Sequence, residues 1–128
     1  MPRESTNGAW DFGSDGLERD LGISQIQLVN DFAALARGLP LFTGEDLYPI
    51  GGGEAVTGSP SAVLGPGTGL GVAAFVPANG GIALPTEGGH VTLSAEDKRE
   101  SEILAFFRDR FGHVSAERVL SGPGLEVL

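Results

Sequence analysis

Between Gly65 and Gly71 every second residue is a glycine, in the run Gly-Pro-Gly-Thr-Gly-Leu-Gly, and the small and apolar stretch Val72 to Val76 follows at once. A segment with so little side chain gives up too much backbone entropy to form a helix. It suits a turn whose backbone something approaches closely. Ala62-Val63-Leu64 before it predicts a buried strand and Val72 to Val76 a second one. Pro77-Ala-Asn-Gly-Gly81 predicts a turn into a third strand, Ile82-Ala-Leu84. The run lacks the Gly-Lys-Ser/Thr of a phosphate-binding P-loop, and its glycines do not fit the G-x-G-x-x-G of dinucleotide sites. Two readings stay open: a plain hairpin turn, or a turn whose N–H groups cup an anion with the Thr68 hydroxyl as a further donor.

A second glycine knot, Pro85-Thr-Glu-Gly-Gly-His-Val91, carries Glu87 and His90. With two histidines and no cysteine in the chain, no spacing signature for a protein metal site exists, and none is expected. A carboxylate and an imidazole held by paired glycines suit polyol recognition better. The carboxylate accepts from hydroxyls and the imidazole donates or accepts.

Ile26 to Val29 predicts a short strand and Phe32 to Leu39 a helix stopped by Gly38 and Pro40, with Asn30-Asp31 between them. Open α/β sheets place ligand-binding groups at such a junction, and a carboxylate there can accept a proton from a bound hydroxyl. The simpler role is a helix N-cap. Asp97 to Phe111 spaces Ile103, Leu104, Phe106, Phe107 and Phe111 as one apolar helix face, stopped by Gly112. His113 reads as a structural cap. Ser115 predicts the N-cap of a short helix, Ala116 to Leu120, ahead of a Ser-Gly-Pro-Gly break. Glu117, in the first turn of that helix, is either dipole-stabilised or an acceptor for a ligand hydroxyl. Val91 to Leu93 is expected to extend the sheet, and Leu17 to Leu21 to form a helical turn. Thr43 to Ser61 reads as a turn-rich connection, and Met1 to Gly16 as a loosely held lead-in anchored by Trp10 and Phe12.

Composition narrows the function classes. At 128 residues and 41% apolar content the chain can bury a core of its own. Eight basic against seventeen acidic residues give a net charge of -9, with Lys98 the only lysine, so no cationic stripe exists for nucleic acid. No apolar run reaches the roughly 20 residues of a membrane span, and the first ten residues lack the apolar core of a signal peptide. A cytoplasmic setting without nucleic-acid or membrane partners is expected.

Taken in order, LVNDF, GPGTGLGV, PTEGGHV and GHVSAERVLSGPGLE resemble the bacterial glucokinase family of the actin-like sugar kinases, from about Trp10 to Leu128. The resemblance implies an α/β chain with part of an actin-like (ribonuclease H-like) sugar kinase fold, a mixed sheet with flanking helices. It implies ATP-dependent phosphorylation of the glucose 6-hydroxyl with Mg²⁺, in a cleft between two domains. Asp31 then corresponds to the general base and a sugar ligand, with Asn30, Glu87, His90 and Glu117 as further sugar ligands. Gly67, Thr68 and Gly69 correspond to a second phosphate loop that contacts ATP. Residues 1–61 would end the small domain and 62–128 begin the large one, both incomplete, with a homodimer as the assembly expected of the complete enzyme. The family's opening D-x-G-G-T-N loop and its C-terminal half have no counterpart here, so an internal fragment without activity of its own is expected. The rival expectation is a hexose-binding module that uses the same five side chains and transfers nothing.

Overall fold

Small residues on one face of a hairpin decide how this chain packs. The structure, a computed structural model, describes Arg3–Glu4, Asp11–Phe12 and residues 14–128. Strand β3 (Ser61–Pro66) pairs antiparallel with β4 (Leu70–Val76), which pairs antiparallel with β5 (Ile82–Thr86). Each strand is found where the sequence predicts one, extended by one or two residues at one or both ends, but β3, expected to be buried, leaves Ala62 and Leu64 exposed because α2 covers only the other face of the sheet. In register, Val63 faces Ala73 and Gly65 faces Gly71, while Ala73 and Phe75 face Pro85 and Ala83. Because side chains alternate, these residues share one face of the sheet, and four of them are glycine or alanine.

Helix α2 (Asp31–Gly38) lies on that face, against all three strands. Ala36 and Ala73 are both fully buried at the contact. Small residues let a helix approach a sheet closely, and here the approach is closest at Phe32, whose ring occupies the space that a Cβ at Gly65 or Gly71 would need. The opposite face carries Leu64, Ile82 and Leu84, all more than 40% exposed. The β4–β5 turn closes through Asn79, Gly80 and Gly81, all with positive φ, and Gly81 donates to the Ala78 carbonyl at 3.0 Å.

A second core forms around helix α3 (Lys98–Phe111), where Leu104, Phe107, Val114 and Val119 bury one another against Leu93, Ile103 and Val127. Asp97 caps α3 by accepting from the Glu100 amide at 2.7 Å, and Gly112 ends it with φ +77°. Of the predicted apolar face, Phe106 stays 52% exposed, and Phe111 is stacked by the Arg110 and Arg118 guanidinium groups instead of entering the core. Ser115 caps helix α4 (Ala116–Val119) as the sequence predicts.

Four further expectations change. Ile26 to Val29 is not a strand: among the described residues it has no ladder partner, and branched side chains favour a strand only where a pleated surface exists to join. Val91 to Leu93 does not extend the sheet; Thr92 bridges Ser115, flanked by bonds from Leu93 N to the Val114 carbonyl (3.1 Å) and from Ala116 N to the Val91 carbonyl (2.9 Å). Ser121 to Gly124 is not a break but the start of helix α5 (Gly122–Leu125). The Ser121 hydroxyl accepts from Gly124 N, and Pro123 suits the first turn, where its missing N–H costs nothing. The lead-in also holds more order than expected, with β1 (Arg3–Glu4) paired to β2 (Asp11–Phe12) and α1 (Ser14–Leu21) following. Trp10 lies outside the described residues. No helix among the described residues is long and apolar enough to cross a membrane.

Candidate active site

The glycine turn joins β3 to β4 through Gly67, Thr68 and Gly69, so the hairpin reading of the sequence is realised. Its amides are not equivalent. Gly67 N–H donates across the turn to the Gly69 carbonyl at 2.7 Å, and the Gly67 carbonyl accepts from Gly122 N–H at 2.8 Å, which ties the turn to the start of α5. Leu70 N–H donates to Glu117 Oε2 at 3.0 Å. Among the described residues no hydrogen bond engages the amides of Thr68 and Gly69. Neither Gly67 nor Gly69 has a positive φ, so left-handed backbone is not what selects glycine here. At Gly69 the reason is contact: a Cβ would strike Glu117 Oε2. Gly67 has open space around it.

Glu117 is held by α4, whose N-cap Ser115 is itself fixed by the bridge to Thr92. Its second oxygen, Oε1, lies 3.4 Å from His90 Nε2. His90 sits in a single 3₁₀ turn, Gly88–His90, closed by its amide donating to the Glu87 carbonyl at 3.0 Å. Gly89 is buried against the Leu70 carbonyl, where a Cβ would collide with backbone. The paired glycines of the second knot therefore let the His90 turn press against the exit of the first. Glu117 and Thr68 also line a hollow of about 420 Å³ with Arg110, Phe111, Arg118 and Ser121.

Asn30 and Asp31 occupy the head of α2. Asn30 is the N-cap: its Oδ1 accepts from Ala33 N–H at 3.0 Å, which leaves Nδ2 as a donor. Asp31 does not cap the helix. Its Oδ1 accepts from the adjacent Phe32 N–H at 2.9 Å, its one hydrogen bond among the described residues, and the residue is exposed. Asn30 lines a separate hollow of about 550 Å³ with Ala33, Arg37, Ala83 and Pro85. Asp31 and Glu87 line neither hollow.

The structure thus brings together Gly67, Thr68, Gly69, His90 and Glu117. Asn30 and Asp31 sit at the head of α2, joined to that group by no hydrogen bond among the described residues, and Glu87 is exposed beside the His90 turn. Three participants escaped the sequence reading: the Leu70 amide, the Gly122 amide and the Phe32 ring. The amides carry no side-chain signal, and Phe32 reads as one more apolar residue of a helix. His113, read as a cap, instead places Nε2 2.9 Å from Thr92 Oγ1. Among the described residues no three His, Asp or Glu side chains come together as a metal-binding cluster.

The family model described as Glucokinase matches residues 2–128. The chain is 46% identical over 125 residues to the glucokinase of Ralstonia nicotianae, which covers 96% of this chain and 36% of that protein. It is 49% identical over 124 residues to the glucokinase of Aromatoleum aromaticum, covering 96% and 38%. Among solved structures, the crystal structure of glucokinase from an Antarctic psychrotroph matches with a TM-score of 0.80 at 37% identity, over 91% of this chain and 36% of that one. The chain spans little more than a third of the length of these relatives.

Proposed function

From membership of the glucokinase family, to which this chain belongs, we propose that residues 14–128 carry the sugar-side half of a glucose 6-phosphotransferase and one of its phosphate loops. The observation that carries this reading is the double engagement of Glu117. One carboxylate reaches the exit of the glycine turn at Leu70 N–H and the imidazole of His90. A loop suited to phosphate and a pair suited to sugar hydroxyls are therefore held together.

In a chain completed to the length of its relatives, the Thr68 and Gly69 amides and the Thr68 hydroxyl donate to phosphate oxygens of ATP. His90, Glu117, Glu87 and the Asn30 amide hold glucose hydroxyls, each carboxylate as an acceptor. An Asp31 carboxylate oxygen takes the proton of the 6-hydroxyl. As it does, O6 bonds to the γ-phosphorus and the bond to the β,γ-bridging oxygen breaks, ADP leaving with that electron pair. The residues described here offer no protein cage for Mg²⁺, which fits as an ion carried by the nucleotide phosphates; when bound it neutralises their charge. The proposed domain division falls between residues 61 and 62. Residues 14–128 supply one phosphate loop to this reading, so we assign them no phosphoryl transfer by themselves.

The test is a coupled kinase assay on the chain completed with the flanking segments of a glucokinase relative. Glucose- and ATP-dependent turnover that collapses in Asp31→Asn supports the reading. Glucose binding without turnover in the completed chain would make this a hexose-binding module.

A further inference from the structure

The helix that carries Asp31 rests one of its side chains on the two strands that flank the glycine turn. Phe32 follows Asp31 directly, is half-buried, and lays its ring on the bare backbone of two glycines that face each other across the β3–β4 ladder. A Cβ added at Gly65 would stand 2.7 Å from Phe32 Cζ and 2.9 Å from Cε1. One added at Gly71 would overlap Cδ2, Cε2 and Cζ. Gly65 and Gly71 lie just outside the turn's flanking residues, Pro66 and Leu70, so the ring rests at the root of the glycine turn. Neither glycine has positive φ, so backbone conformation does not require glycine at these two positions. The aromatic ring does.

We propose that Phe32 is a positioning residue: its ring, wedged onto Gly65 and Gly71, sets the distance between the Asp31 carboxylate and the glycine turn. The inference rests on the reading of Asp31 as the proton acceptor and adds to it the part that holds Asp31 in place. Among the described residues Asp31 has no tertiary hydrogen bond of its own: its carboxylate accepts from the amide of Phe32. The Asn30 cap orients the start of the helix but, among the described residues, reaches Ala33 within the same helix and nothing beyond it. The lateral placement of Asp31 therefore passes through its neighbour's ring. Proton transfer is sensitive to that placement, because a displacement of about 1 Å at a reacting group can cost about a hundredfold in rate.

The experiment uses the chain completed to the length of its relatives and compares Gly71→Ala, Phe32→Val, the double variant and Asp31→Asn, all assayed well below their melting temperatures. The added methyl of Gly71→Ala forces the ring, and Asp31 with it, off the sheet. We expect kcat to fall about a hundredfold while KM for glucose moves less than about threefold, a split that general unfolding would not produce. Valine lacks every ring atom that the new methyl meets, so the double variant is expected to lose less in kcat than the product of the two single losses. Equal falls in kcat and rises in glucose KM, or a double variant that loses the full product, would overturn the positioning role. Asp31→Asn tells the two claims apart. If it keeps near-normal kcat, the base assignment fails and the positioning inference with it; if it collapses kcat while Gly71→Ala does not, only the positioning inference fails.

Discussion

Leu70 donates its amide hydrogen to Glu117 Oε2 at 3.0 Å, and the other oxygen of that carboxylate lies 3.4 Å from His90 Nε2. A residue from a short helix near the end of the chain thus closes the exit of the glycine turn. The two bonds separate what Glu117 does for the fold from what it does for a ligand. Glu117→Gln keeps an acceptor for Leu70 N–H, so unfolding in urea should change little. Glu117→Ala leaves that part-buried amide unpaired and should cost about 1–3 kcal/mol. Glucose affinity should fall in both, because both lose the charged acceptor.

Gly69 and Gly67 are predicted to differ sharply. An alanine at Gly69 meets Glu117 Oε2, whereas one at Gly67 meets nothing within 4 Å. Thermal unfolding of the two variants should show Gly69→Ala lowered and Gly67→Ala close to the parent. Since Glu117 is what Gly69→Ala displaces, glucose binding should weaken along with nucleotide binding. An effect confined to ATP would separate the turn from the sugar side.

Asp31→Asn, in the completed chain, keeps size and the bond to Phe32 N–H but cannot take a proton. Turnover should fall by about 10² to 10⁴, with glucose affinity changed much less. Because Asn30 and not Asp31 caps α2, the melting temperature should stay near that of the parent. A lowered melting temperature with intact kcat would return Asp31 to a structural role.

Phe107 is 1% exposed at the centre of the α3 core. Phe107→Ala should destabilise by about 3–5 kcal/mol in denaturant titration. Phe106→Ala, one residue away but 52% exposed, should cost far less.

The three strands, α2, α3 and α4 were legible in the sequence for local reasons: apolar runs bounded by glycine turns for the strands, helical apolar spacing with stops at Gly38 and Pro40 for α2 and at Gly112 for α3, and the Ser115 cap for α4. Asn30, Asp31, Glu87, His90 and Glu117 were legible as candidates because their side chains carry chemistry. Less visible was what holds them. Glycine at position 71 answers to a phenyl ring 39 residues earlier in the chain, and glycine at 69 to a carboxylate from α4. Such contacts leave only an absence of side chain in the sequence, which a turn produces equally well. Ile26 to Val29 misled for the converse reason: strand propensity is local, but a ladder partner is not.

The most direct test is titration of the ¹⁵N-labelled 128-residue chain with glucose, followed residue by residue by NMR. Saturable amide shifts are expected at His90, Glu117 and Leu70, with a midpoint in the millimolar range or weaker because the segment is about a third of its relatives' length. Those shifts should vanish in Glu117→Gln. Shifts confined to residues away from the glycine turn, or undiminished in Glu117→Gln, would contradict a sugar site built on Glu117.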